Sequence, residues 1–194
     1  MEGYRTIAQE RTSRKNHPDR SRAFAKAKDI RLLLLDVDGV LTNGSLLYTG
    51  SGEESKAFNT QDGFGLRLLQ EAGLNVGVIT ARTSEVVARR ANELKMRFIY
   101  QGVANKNLAF KDIMKVSGLR PFEIAYIGDD WLDLVLLQQV GLAIAPANAV
   151  REVKEAAIFV TERRGGEGAV RDACDLILEA QNLTAELLQR YQSR

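Results

Sequence analysis

Two carboxylates, Asp36 and Asp38, stand two residues apart at the end of the apolar run Leu32-Leu33-Leu34-Leu35, and Gly39 follows them. Such a run suits a strand buried on both faces of a parallel sheet. In open α/β sheets, ligands gather beyond the carboxyl ends of the strands. Both acids are therefore expected at a strand tip, facing a crevice. Carboxylates this close repel each other, and a cation, most simply Mg²⁺, would offset the repulsion. A polar turn after a core strand would read the same way, so the rest of the chain decides between the two.

Three later segments carry reactive residue types at similar places. Val76-Gly77-Val78-Ile79 runs into Thr80-Ala81-Arg82. A hydroxyl just before a helix start is well placed for phosphate, and also for capping the helix. Lys106 follows Gly102-Val103-Ala104-Asn105 at the start of a predicted helix. It is either a point charge aimed at the crevice or a solvated side chain. Ile124-Ala125-Tyr126-Ile127-Gly128 ends in Asp129-Asp130, with Asp133 four residues after Asp129. Asp129 suits a metal ligand. Asp130 and Asp133 suit groups that orient the metal or its waters, and Asp130 also suits a helix cap. In a doubly wound sheet these tips converge on one edge. Carboxylates, an ammonium, a hydroxyl and Mg²⁺ suit phosphoryl transfer through an aspartyl phosphate.

Composition narrows the chemistry further. His17 is the only histidine, which argues against a Ser-His-Asp triad or a His-rich zinc site. Cys174 is the only cysteine, so no intrachain disulfide can form, as suits a reducing cytoplasm. It lies in an apolar helical pattern and is expected in the core. Residues 1–28 hold eight Lys/Arg against three acids, +5, which leaves −3 for the remainder of a chain of net charge +2. This arm has no aromatic interleaving and is expected to be disordered, then helical from about Ser21, with no nucleic-acid partner. No stretch reads as a signal peptide or a membrane span, so no membrane partner is expected.

The elements that must position these residues are legible as an alternation. Strands are expected over Arg31–Leu35, Asn75–Thr80, Arg97–Gln101, Glu123–Gly128 and Leu142–Ala145. Helices are expected over Asp62–Ala72, Ser84–Leu94, Lys106–Ser117 and Trp131–Gln139, with Thr83 or Ser84 as a cap and Gly73 and Gly118 as stops. The alternation predicts an α/β fold with a doubly wound parallel sheet. One segment breaks it. Ser45–Asn59 holds two β-like runs, Leu46-Leu47-Tyr48 and Lys56-Ala57-Phe58, around Gly50-Ser51-Gly52-Glu53-Glu54. That is a hairpin pattern, placed to stand over the crevice as a flap.

Taken in order, Asp36-Val37-Asp38-Gly39-Val40-Leu41-Thr42, Thr80, Lys106, and Gly128-Asp129-Asp130 with Asp133 resemble the four motifs of haloacid dehalogenase (HAD) superfamily phosphatases. The short insertion at 45–59 is similar to the minimal-cap subgroup. Gly52–Asn59, Asp62-Gly63-Phe64-Gly65 and Gly165–Asp172 resemble the 3-deoxy-D-manno-octulosonate 8-phosphate (KDO 8-phosphate) phosphatase family within it. Asn43, Ala81 and Gln61 differ from that family's usual residues. The resemblance covers roughly residues 30–180, within an expected phosphatase domain of 29–182 followed by a helical tail over 183–194.

The resemblance implies a Rossmann-like HAD fold and a Mg²⁺-dependent phosphatase of a sugar-acid phosphate in lipopolysaccharide precursor synthesis. It implies Asp36 as nucleophile and Asp38 as general acid–base. It further implies Asp36, the Asp38 backbone carbonyl and Asp129 on the metal, Thr80 and Lys106 on the phosphoryl oxygens, and Arg82 on the substrate's anionic groups. A cytoplasmic homotetramer is implied, with each flap serving a neighbouring site and Gly165–Gly168 closing over it. The rivals are a nonulosonate 9-phosphate as substrate, a receiver-type signalling domain, and an inactive regulatory homologue.

Overall fold

A computed structural model describes residues 18–193; the expected disordered arm, with His17, lies outside the described residues. The fold is built around β1 (Leu32–Leu35), whose four leucines are fully buried. Leu33 and Leu35 enter one apolar layer, Leu32 and Leu34 the other. Each side chain so buried is worth about 2 kcal/mol, which is why an unbroken leucine run occupies the centre of the sheet.

Parallel strands flank β1: β4 (Asn75–Ile79), β5 (Phe98–Tyr100), β6 (Ile124–Ile127), β7 (Leu142–Ala145) and β8 (Phe159–Val160). Their spatial order is β5-β4-β1-β6-β7-β8. One layer holds α1 (Pro18–Ala27), α2 (Thr60–Glu71), α3 (Glu85–Glu93), α7 (Ala169–Ala180) and α8 (Thr184–Gln192). The other holds α4 (Lys106–Ser117), α5 (Leu134–Leu137) and α6 (Arg151–Ala156). The chain winds outward from β1 to β5, then returns to the other side of β1 through β6. This reversal leaves a crevice at the carboxyl ends of β1 and β6. The expected α/β, doubly wound sheet is thus present. Among the described residues no helix is long and apolar enough to cross a membrane.

Four elements differ from expectation for local reasons. The hairpin strands are β2 (Leu47–Tyr48) and β3 (Glu54–Ser55), so the second strand precedes Lys56-Ala57-Phe58. Thr49 sets that register: its N–H donates to Glu53 O at 2.9 Å and its hydroxyl accepts from Glu53 N at 3.1 Å. The segment 131–139 is a 3₁₀ turn, Trp131–Asp133, followed by the short α5. Asp130 caps the turn, which tightens so that Asp133 points inward. β8 and α6 carry too few residues to give a periodic signal.

Candidate active site

Register places the reactive residues. Leu35 pairs with Val78 on one side and Ile127 on the other. Thr80 and Asp129 therefore stand two residues past those partners, flanking the loop that carries Asp36 and Asp38. Gly39 permits the close approach: its φ is +84°, and a Cβ there would lie 1.9 Å from Asp129 Oδ2.

The centre of the crevice is an ion cluster. Lys106, at the first position of α4, is 4 % exposed. Its Nζ lies 3.0 Å from Asp36 Oδ1 and 2.6 Å from Asp133 Oδ1. It also donates to Tyr126 Oη at 3.0 Å, and that hydroxyl donates to Asp133 Oδ1 at 2.5 Å. The other oxygen of Asp133 accepts from Asp129 N at 2.9 Å and Asp130 N at 3.2 Å. Asp133 thus locks the loop carrying Asp129 and fixes Lys106. Burial lowers the pKa of Lys106, but Asp36 and Asp133 together raise it more, so the net shift is upward.

One carboxylate oxygen from each of Asp36, Asp129 and Asp133 lies within 4.8 Å of the others. Burial, then the Asp133 charge, pushes Asp36 up to about 6 against the pull of Lys106. Burial, then Asp36 and Asp133, pushes Asp129 up to about 7. One ammonium leaves this carboxylate set short of positive charge, which is the chemistry of a divalent-cation site. Because both Asp133 oxygens are already taken, Asp36 and Asp129 are the carboxylates left to hold a cation.

The other expected site residues are placed as follows. Asp38 turns its carboxylate away from the acid cluster, toward Lys56 and Arg82. Thr80 is buried, and its hydroxyl accepts from Arg82 N at 3.4 Å. Arg82 binds the hairpin through Tyr48 Oη at 2.7 Å and Glu54 Oε1 at 3.1 Å. Asp130 accepts from Trp131 N at 2.7 Å, the capping use left open above. Gly165 and Gly166 pack on residues 39–43 of their own chain.

Five contributors escaped the sequence reading. Tyr126 lay inside an apolar run, and only the need of a buried phenol for a partner could have signalled it. Glu54 and Lys56 stood in the hairpin pattern, where nothing in the sequence marks them as partners of Asp38 and Arg82. Asn148 bridges two loops, donating to Gly39 O at 2.9 Å and accepting from Gly165 N at 2.6 Å. Asp62, quoted above only for its motif, accepts from Arg171 N at 2.8 Å and so ties α2 to the start of α7.

The family model described as haloacid dehalogenase-like hydrolase matches residues 92–172. The 3-deoxy-D-manno-octulosonate 8-phosphate phosphatase KdsC of Escherichia coli (strain K12) is 44% identical over 158 residues, 81% of this chain and 84% of that protein. The chain belongs to the KDO 8-phosphate phosphatase family of HAD-like hydrolases. The crystal structure of the Yersinia pestis 3-deoxy-D-manno-octulosonate 8-phosphate phosphatase matches with a TM-score of 0.82 and 41% identity, covering 84% of this chain and 88% of that one. The family's Moraxella catarrhalis structure, in complex with magnesium ion, phosphate ion and KDO, matches with a TM-score of 0.85 and 39% identity over 89% of this chain and 99% of that one. The Rossmann-like HAD fold implied by the motifs is shared with these family members.

Proposed function

We propose that this chain hydrolyses KDO 8-phosphate to KDO and inorganic phosphate with Mg²⁺, as a cytoplasmic step in lipopolysaccharide precursor synthesis. The observation that carries this reading is the Asp36, Asp129, Asp133 and Lys106 cluster at the switch point of the sheet, in a chain so similar to phosphatases of that name. The relatives' names favour KDO 8-phosphate over a nonulosonate 9-phosphate, and a phosphatase over a receiver domain.

Asp36 attacks phosphorus. An Asp36 carboxylate O–P bond forms while the P–O bond to the sugar breaks, and Asp38 gives a proton to the departing sugar oxygen. Asp38 then takes a proton from water. The water oxygen bonds to phosphorus, the aspartyl O–P bond breaks, and Asp36 is restored. Acid–base help of this kind is worth roughly 10²–10⁴-fold. Lys106 and Thr80 hold phosphoryl oxygens, and Lys106 offsets charge that would otherwise repel them. Arg82 meets the anionic part of the sugar acid. Asp36 and Asp129, with the Asp38 backbone carbonyl, would hold Mg²⁺, and Asp130 and Asp133 support the loop that carries Asp129. When bound, the ion neutralises the repulsion between an anionic nucleophile and an anionic ester.

Phosphate release from KDO 8-phosphate, measured with Mg²⁺ and with EDTA and repeated on Asp36→Asn, tests the reading. Turnover is expected only in the parent chain with metal. Metal-independent turnover, or an unimpaired mutant, would reject the assigned nucleophile.

The assembly is read as a homotetramer. Leu46, Leu47 and Tyr48 on the hairpin are 42–57% exposed, and a two-stranded hairpin is marginal without a surface to pack on. Sedimentation equilibrium checks this, with a monomer as the opposing result.

A further inference from the structure

Lys56 is a charged side chain with none of its surface exposed, carried by an otherwise solvent-facing hairpin. Burying an ammonium is costly unless anions surround it. Here its Nζ bonds Asp38 Oδ1 and lies 3.4 Å from Glu54 Oε1. The second oxygen of Asp38 lies 3.6 Å from Arg82 Nε, and Arg82 in turn bonds Glu54. Each Asp38 oxygen therefore faces a cation from a different segment, the hairpin on one side and the β4–α3 loop on the other. The carboxylate has little freedom to rotate about its own axis.

We propose that Lys56 is a positioning residue, whose ammonium fixes the orientation of the Asp38 carboxylate and ties the hairpin to it. The assignment rests on the acid–base role given to Asp38 above. In this assignment Lys56 acts through Asp38, to which its Nζ bonds. The value of such an anchor lies in orientation, since a misplacement of about 1 Å can cost on the order of 10²-fold in rate. Glu54 completes the arrangement. The Ser84 hydroxyl, then Arg82 and Lys56, holds its carboxyl below the usual range, so Glu54 stays ionised and shares both cations with Asp38.

The test compares Lys56→Met, the more polar Lys56→Gln, and Lys56→Arg with the parent chain in saturating Mg²⁺. KDO 8-phosphate and p-nitrophenyl phosphate are the two substrates, and thermal melts establish which variants fold. On KDO 8-phosphate, the Met and Gln variants are expected to lose on the order of 10²-fold in kcat with little change in KM, and Lys56→Arg to recover most of that loss. p-Nitrophenolate needs no proton to leave. The Met and Gln variants should therefore release it in a burst of one equivalent at the parent rate, then turn over slowly, because only water activation still needs Asp38 in place.

A parent-like kcat would overturn the proposal. So would a loss confined to KM, or an equal loss on both substrates without a burst. Asp38→Asn run in parallel separates the two readings. If it turns over normally, the acid–base role itself falls. If it is slow while the Lys56 variants are not, only the positioning role falls.

Discussion

Lys106 and Asp133 form a buried ion pair, 2.6 Å apart, between the first residue of α4 and the turn after β6. Their side chains are 3% and 1% exposed. Desolvation offsets much of the attraction in a pair so enclosed, but removing one partner leaves a buried charge short of its counter-ion. Asp133→Asn is expected to destabilise the fold by about 3 kcal/mol and to abolish most activity, because Lys106 and the Asp129 loop both lose their anchor. Urea denaturation with a phosphate-release assay checks this. A variant of parental stability would show that the pair anchors nothing.

Stability without metal should depend on pH in a definite direction. Asp36 sits at about 6 and Asp129 at about 7 in the fold, both above the ordinary 3.8. A raised carboxyl pKa means that the folded chain holds protons the unfolded chain has released. The stabilisation is full below about pH 4 and is lost as pH climbs through 6 to 7. Metal-free protein should melt at a lower temperature at pH 8 than at pH 5.5, and Mg²⁺ should raise the melting temperature more at pH 8. Glu54 and Glu123 are shifted downward, so they titrate below this window. Thermal melts in EDTA and in Mg²⁺ decide it; a metal-free melting temperature that rises between those pH values contradicts the assignment.

Gly39→Ala tests the contact between the acid-pair loop and Asp129. The new methyl would fall 1.9 Å from Asp129 Oδ2, at a φ of +84°. The backbone alone costs about 1–3 kcal/mol, and the displaced carboxylate should raise the Mg²⁺ concentration for half-activity by 10-fold or more, roughly the loss of one charge-assisted contact. Metal titration of activity is the measurement. Unchanged metal dependence would mean that Asp129 does not bind the ion.

Asn148→Ala removes the amide that joins Gly39 to Gly165. Two hydrogen bonds at about 1 kcal/mol each predict a loss near 2 kcal/mol, with faster hydrogen exchange in the 39–43 loop. Exchange mass spectrometry reads this directly, and parental protection would limit Asn148 to a surface role.

Much of this site is legible from one-dimensional pattern because strand tips announce themselves. Asp36, Thr80 and Asp129 each follow an apolar run, parallel winding brings such tips together, and Lys106 opens the helix that follows β5. The side-chain directions are not legible in that way. Asp38 follows the same run as Asp36, yet faces the hairpin because Lys56 awaits it there. Lys56 itself was hidden by hairpin register, which Thr49 fixes through two local hydrogen bonds. Tyr126 was hidden by its strand, where an apolar ring and a phenol read alike. Asp133 was legible as an acid beside the expected metal site, but its place as an internal anchor depends on the tightness of a 3₁₀ turn.

The order of strands has one more consequence, for biosynthesis. β1 is made early yet lies mid-sheet, between neighbours that begin at residues 75 and 124. A chain still on the ribosome and cut short before residue 129 would hold Asp36, the proposed nucleophile, without the acids that complete its cluster. The proposed site is therefore completed late in translation, and until β6 emerges one edge of β1 must wait for its partner.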